Sequence, residues 1–368
     1  MGNSTELKNV LADFCFNGNP VKTEPLGSGH INRTMLVTAD SGKRYVLQRM
    51  SSAAFGDVPS LMENVIAVTR FITEHSDHER STLHFIPAKS GEYYHVDETG
   101  YYWRCYEYVE NSICLNLAES PEDFYQAAVA FGNFQRILSE FPASTLNETI
   151  PDFHNTPDRY RKFHISLDAD VKSRRSSCEE EVSFLLEREK MAGKLQEMRD
   201  NCRLPLRVTH NDTKLNNVLF DKDTGKALCV IDLDTVMPGL VAYDFGDAIR
   251  FGASTALEDE TDLSKVSMSI DLFTAFTKGY LSSCEGLTEE EFYSLVLGSK
   301  IITLEIGMRF LTDYLDGDIY YATEYPEHNL VRARTQFKLV ADMENKWEEM
   351  LEIMSRESGI KIDEKLYC

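Results

Sequence analysis

Four residues carry the chemistry this chain can be read for: His210, Asp212, Asn217 and Asp232. They fall in Thr209-His210-Asn211-Asp212-Thr213-Lys214-Leu215-Asn216-Asn217 and in Cys229-Val230-Ile231-Asp232-Leu233-Asp234. The pattern is His-x-Asp, an Asn five residues after the Asp, then a second Asp at the end of an apolar strand. Phosphoryl transfer needs such a set: one carboxylate facing the attacking hydroxyl, with an amide oxygen and a further carboxylate holding magnesium against the nucleotide phosphates. Asp212 is expected to accept the proton of the attacking hydroxyl, and His210 to brace its loop through the ring nitrogens.

Asn217 and Asp232 are the expected metal ligands. Tyr243-Asp244-Phe245-Gly246 offers a rival, since Asp-Phe-Gly holds magnesium in protein kinases. Asp244 is 27 residues after Asn217, whereas Asp232 closes the strand Leu228-Cys229-Val230-Ile231 after only 15. Asp232 is therefore preferred, and Asp234 is a further contact to metal or substrate. Asp244, Asp247 and Arg250 are expected to brace the catalytic loop by charge-assisted hydrogen bonds.

The elements that must position these groups come in two kinds. Residues 21–50 read as an antiparallel meander with a hairpin turn at Asp40-Ser41-Gly42-Lys43, and Glu92 to Val109 as a second hairpin turning at Asp97-Glu98-Thr99-Gly100. Between them Ser60 and Glu63 form a capping-box pattern ahead of Leu61, Val65, Val68 and Ile72 at helical spacing. Ser120-Pro121-Glu122-Asp123 opens a second helix. Residues 179–200 predict one amphipathic helix with Val182, Leu185, Leu186, Leu195 and Met198 inward. Residues 263–358 read as helical. The expected fold is α+β and bilobed, protein-kinase-like: a small antiparallel-sheet N-lobe over residues 1–110 that binds nucleotide, and a larger, mainly helical C-lobe over 111–368 with the catalytic loop.

The glycine turn Gly27-Ser28-Gly29-His30 is expected over the nucleotide phosphates or the substrate, with His30 as a substrate contact. The third strand, Arg44 to Met50, places Gln48 where kinases carry a phosphate-gripping lysine. Strand residues alternate, so Gln48 faces the cleft and Arg49 the other side. Gln48 with Glu63 is the expected inner pair, and an uncharged Gln leaves magnesium to supply most of the positive charge.

A net charge of −22 excludes nonspecific binding to nucleic acid or an anionic membrane. The N-terminal residues lack a signal-peptide pattern, and no apolar run approaches the length that spans a bilayer. Eight cysteines without a Cys-x-x-Cys pair fit a reduced, cytoplasmic, zinc-free protein. A monomer or small homo-oligomer is expected.

The chain resembles the aminoglycoside phosphotransferase and choline kinase superfamily, and within it the bacterial N-acetylhexosamine 1-kinases. The residues that carry this are Gly27 to Asn32, His210 to Asn217, Ile231 to Gly239, Asp244 to Arg250 and Arg309 to Asp318. The resemblance implies transfer of the ATP γ-phosphate to the anomeric hydroxyl of N-acetylglucosamine or N-acetylgalactosamine, with Mg2+ as cofactor. It implies Asp212 at that hydroxyl and sugar contacts from His30, Asp232, Arg309 and Tyr320. It makes Cys105 to Val109 the hinge, gripping adenine through the backbone of Glu107 and Tyr108. A kinase for another small alcohol (aminoglycoside, choline or amino alcohol) and a nucleotide-binding module without transfer activity are the competing readings.

Overall fold

The computed structural model describes residues 4–27, 32–51 and 56–362. The small lobe holds α1 (Ser4–Asp13), β1 (Pro20–Pro25), β2 (Arg33–Ala39), β3 (Arg44–Arg49), α2 (Val58–Glu74), β4 (His95–Val96) and β5 (Tyr102–Glu107). Its strands form one antiparallel sheet in the order β1-β2-β3-β5-β4. Alternation divides the faces. Val37, Tyr45, Leu47, Trp103 and Cys105 pack with Val10 of α1 and with Phe14, just past its end. The intervening Gln48 and Arg104, directly opposite each other in the β3–β5 register, belong to the other face.

Helix α2 begins earlier than its sequence pattern suggests. Asp57, not Ser60, is the N-cap: its carboxylate accepts from the Ser60 N–H (3.1 Å) and hydroxyl (2.7 Å), and Pro59 occupies the first turn. The second hairpin closes as expected. The Asp97 carboxylate accepts from Thr99 N and Tyr101 N in the turn and from Trp103 Nε1 on β5.

The large lobe continues with β6 (Ser112–Cys114), α3 (Pro121–Ile137), α4 (Thr156–Ala169), α5 (Glu179–Leu186), α6 (Glu189–Ala192), α7 (Lys194–Asp200), β7 (Arg207–Thr209), β8 (Val218–Asp221), β9 (Ala227–Val230), β10 (Met237–Gly239), α8 (Val241–Gly252), α9 (Ile270–Ser283), α10 (Glu289–Asp316), α11 (His328–Asn345) and α12 (Trp347–Ser358). Ser120 and Asp123 form the capping box of α3. The single helix expected over 179–200 is three short ones. The chain breaks at Arg188, which is tied to Glu344 of α11 and stacked on Phe184, and again at Gly193, a poor helix former. Val182, Leu185, Leu195 and Met198 are buried, but Leu186 ends its short helix exposed.

Two small ladders flank the segments that bear Asp212 and Asp232: β6-β8-β9 and β10-β7. Helix α8 lies beside them and crosses the long α10 closely. A side chain at Gly246 would put its Cβ 2.5 Å from the Gly298 carbonyl oxygen, and one at Gly298 would meet the Ala242 carbonyl at 2.2 Å. Only glycine at both positions lets α8 approach, which fixes Asp244, Asp247 and Arg250 relative to β7. Among the described residues no helix is long and apolar enough to cross a membrane.

Candidate active site

The loop after β7 is shaped from beneath by α8. Buried Asp244 (2% exposed) accepts from His210 N at 2.9 Å and Asn211 N at 2.8 Å. Burial pushes its carboxyl up, while His210 and the two N–H bonds pull it down. Asp247 accepts from Thr213 N at 3.1 Å and pairs with Arg250, which also reaches Glu258. These three residues brace the loop as their sequence positions suggested, and the Asp-Phe-Gly carboxylate is turned inward, not to the cleft.

His210 acts as a strut. Its Nε2 donates to the Ile231 carbonyl (2.8 Å) and its Nδ1 accepts from Asp212 N (3.2 Å). Asn211 adopts φ +63°, a region asparagine tolerates, and its side chain donates to the Thr235 carbonyl at 2.9 Å. The loop bearing Asp212 and the turn bearing Asp232 are thereby fastened together. Ile231 N completes this by donating to the Asn217 carbonyl at 2.8 Å.

Asp212 itself is half-buried. Lys214 Nζ lies 2.7 Å from Oδ1, and Asn217 Nδ2 donates to Oδ2 at 3.0 Å and to the Asp212 carbonyl at 2.8 Å. Burial alone would raise its pKa, but Lys214, His210 and Asn217 outweigh burial and hold the carboxyl below its usual value. It is therefore an ionised acceptor at neutral pH. The Asn217 amide, with its nitrogen on Asp212, leaves its oxygen for a cation.

Asp232 has φ +60° and is exposed, with its carboxylate near those of Asp234 and Asp212. Burial, then Asp234 and Asp212, push its pKa up to about 6, against the pull of Arg104 and His210. No hydrogen bond to its side chain is formed among the described residues. An uncompensated carboxylate beside a second one and an amide oxygen is a hard-oxygen donor set that fits Mg2+.

Asp234 is different. It is buried (3% exposed), paired with Arg104 Nη1 through Oδ1, and accepts from Asn32 Nδ2 through Oδ2 at 2.9 Å. Each oxygen accepts from a protein donor, so Asp234 forms an interlobe tie. The Gln48–Glu63 pair is not formed either. Gln48 accepts from Arg104 Nε at 2.9 Å and donates to Thr34 Oγ1 at 3.1 Å. Glu63 is exposed and accepts from Asn147 Nδ2, because it lies off the buried stripe of α2. Its neighbour Asn64 is on that stripe and donates to the Val236 carbonyl at 3.0 Å.

At the hinge, Glu107 N donates to the His84 carbonyl (2.9 Å) and Tyr108 N to the Arg44 carbonyl (3.0 Å). Neither N–H is left free. Gly27 turns out of β1 with φ +72°; Gly29 and His30 lie outside the described residues.

Arg309 and Tyr320 form a second group. The Arg309 guanidinium lies 5.5 Å from the Phe153 ring centre and 5.9 Å from those of Tyr320 and Tyr321. Burial works against its charge, but Tyr321 and Glu305 keep its pKa raised. Glu305, fully buried one turn earlier, is held by His154 Nδ1 at 2.9 Å and Thr156 Oγ1 at 2.6 Å. Tyr320 is 71% exposed, yet the backbone presenting it is fixed: Asp313 accepts from Ile319 N, Tyr320 N and Tyr321 N at 2.8–3.0 Å. No hydrogen bond or ion pair joins this group directly to Asp212 among the described residues. Phe153 and Asn211 do line one small cavity.

Sequence reasoning passed over Arg104, Asn64 and the role of Lys214. Arg104 had a signal: a charged residue between Tyr102 and Tyr106 on the cleft side of an otherwise aromatic strand.

The geometry agrees with the comparisons. An aminoglycoside phosphotransferase from Alicyclobacillus acidocaldarius subsp. acidocaldarius DSM 446 is 13% identical over 96% of each chain, with a TM-score of 0.63. A microcompartment-associated aminopropanol kinase is 18% identical over 95% of this chain and 98% of its own, at 0.65. The amicoumacin kinase hAmiN, in complex with AMP-PNP, Ca2+ and Ami, is 12% identical over 92% and 93%, at 0.60. At such identities these likenesses establish the bilobed fold. Residues 22–265 match the phosphotransferase enzyme family (APH), more than half of the chain, and the chain belongs to that family.

Proposed function

We propose that this protein transfers the γ-phosphoryl group of ATP to the anomeric hydroxyl of an N-acetylhexosamine, giving the 1-phosphate. The observation that carries phosphoryl transfer is the set Asp212, Asn217 and Asp232 on two turns fastened together by His210 and Asn211. Asp212, ionised and bonded to Asn217, orients the acceptor hydroxyl and takes its proton as the bond to phosphorus forms. Asp232 and the Asn217 oxygen would hold Mg2+, which supplies charge neutralisation at the phosphates. Glu107 and Tyr108 offer carbonyls to the base, and Gly27 begins the turn expected over the phosphates.

The sugar assignment rests on Arg309 and Tyr320, and on the resemblance for His30. A hexosamine needs a charged fork for its hydroxyls and a flat ring for its apolar face, and both occur together here. A cationic acceptor is less well served, since Arg309 is charged and Glu305 is already held by His154 and Thr156.

The test is a coupled ADP-release assay with Mg-ATP against N-acetylglucosamine, N-acetylgalactosamine, glucose, galactose, choline and kanamycin, with phosphorus NMR on the product. Turnover yielding an anomeric phosphate, abolished in Asp212→Asn, is the expected result. Turnover with choline or kanamycin alone would keep the catalytic Asp and overturn the substrate.

A further inference from the structure

The cleft face of the small-lobe sheet carries a cation, but not on the strand where kinases place it. Gln48 occupies the third-strand position, and its partner across the ladder is Arg104 of β5. Arg104 is 3% exposed and divides its donors between the two lobes: Nε on Gln48 Oε1, Nη1 on Asp234. Asp234 lies two residues beyond Asp232. A second small-lobe residue, Asn32, holds its other oxygen, and Asn32 is itself fixed by Ser51 N on its Oδ1 at 3.1 Å. A third, Asn64 of α2, holds the Val236 carbonyl. The turn that offers Asp232 is thus clasped by three small-lobe side chains.

A buried ion pair between lobes is a weak source of stability, because desolvating both charges offsets most of their attraction. Its physical return is position: a guanidinium locked at Nε by Gln48 can meet Asp234 in one geometry only.

We propose that Arg104 is a positioning residue for phosphoryl transfer: through Asp234 it sets the place of the Asp232 turn against the small-lobe sheet. This rests on the metal-binding reading of Asp232. Arg104 does not act on the phosphates as a third-strand lysine does. It acts on the carboxylate turn. Gln48 is then the orienting group of the arginine rather than a weakened phosphate ligand.

The experiment compares wild type with the double variant Arg104→Gln, Asp234→Asn, which removes both charges and leaves no buried ion alone. Amide hydrogen exchange of residues 232–236 is read without nucleotide, and kcat, the KM for ATP and the apparent Mg2+ constant are read in turnover. Exchange at 232–236 is expected to rise selectively. The Mg2+ constant is expected to weaken about 10–100-fold, with kcat down about 100-fold and the melting temperature near wild type. Wild-type exchange at 232–236, or a wild-type Mg2+ constant, would overturn the proposal. Should the double variant not fold, Arg104→Lys keeps the charge but loses the fork. It is expected to weaken Mg2+ about tenfold, and a wild-type value there overturns the proposal equally. If wild type shows no turnover with any acceptor, the functional reading fails. The nucleotide-free exchange still decides whether Arg104 clasps the turn.

Discussion

Asp244→Asn tests whether the Asp-Phe-Gly carboxylate braces the catalytic loop or binds metal. In the structure two backbone N–H groups, of His210 and Asn211, converge on its two oxygens at 2.9 and 2.8 Å in a buried setting. An asparagine keeps one acceptor and turns its NH2 against the other N–H. One charge-assisted bond is lost and one amide is left buried without a partner, each worth about 1.5–3 kcal/mol. Removing the charge relieves the desolvation that pushes this carboxyl up, which offsets part of the loss. The net destabilisation should be about 2–4 kcal/mol by urea unfolding. The loop that loses its brace carries Asp212, so kcat should fall about 100-fold, the usual cost of a 1 Å misplacement. ATP affinity and the apparent Mg2+ constant should stay at wild-type values, because neither Asp244 oxygen faces the cleft. A Mg2+ constant weakened tenfold with the protein's stability intact would refute the reasoning and make Asp244 a metal ligand.

Asp232→Asn should weaken the Mg2+ constant about 10–100-fold while leaving the melting temperature at pH 7.5 equal to or above wild type. The sign follows from its pKa, raised from 3.8 to about 6 in the fold. The protonated form favours folding, that advantage is present below pH 4 and is lost as pH rises through 6, so at neutral pH the ionised group opposes folding. A variant clearly less stable than wild type at pH 7.5 would contradict this. For the same reason calorimetric Mg2+ affinity should be level above pH 6 and fall about tenfold per unit below it, and a flat profile from pH 5 to 8 would count against Asp232 as ligand. Lys214→Met removes the cation that holds Asp212 low, so the acid limb of the kcat/KM profile should move to higher pH; an unmoved limb would mean Lys214 does not set that acidity. Tyr320→Ala touches an exposed ring, so stability should be unchanged while the KM for the acceptor rises up to about tenfold with the KM for ATP constant; an unchanged acceptor KM would remove Tyr320 from the site.

What could be read from sequence was local. His210, Asp212, Asn217 and Asp232 lie within 23 residues on two adjacent turns, and their spacing alone carries most of the geometry. Alternation on β3 correctly sent Gln48 to the cleft and Arg49 outward, where its guanidinium stacks on Tyr101 at 4.4 Å. The choice of Glu63 as its partner failed for a reason the sequence contained. Leu61, Val65, Val68 and Ile72 mark the buried stripe of α2, and Asn64, three residues after Leu61 and four before Val68, lies on it while Glu63 does not. The Arg104–Asp234 and Asn32–Asp234 contacts, 130 and 202 residues apart in the chain, were beyond reach. They depend on a strand register and a docking of lobes that no local pattern encodes. The break of 179–200 into three helices has the same origin, since Glu344 of α11 captures Arg188.

The charge distribution of the cleft decides where the positive charge for the phosphates must come from. Arg104 and Lys214 have carboxylate partners, Asp234 and Asp212 respectively. Gln48 is neutral where a lysine would be, and the chain as a whole carries −22. In the proposed reaction a triphosphate would face Asp232, a carboxylate that forms no salt bridge among the described residues, while Arg104 and Lys214 are committed elsewhere. A divalent ion between anion and carboxylate would relieve their repulsion. On the proposed function the absent lysine and the unpaired aspartate belong to one arrangement, in which Asp232 would hold the metal and the metal, rather than a side chain, would neutralise the nucleotide.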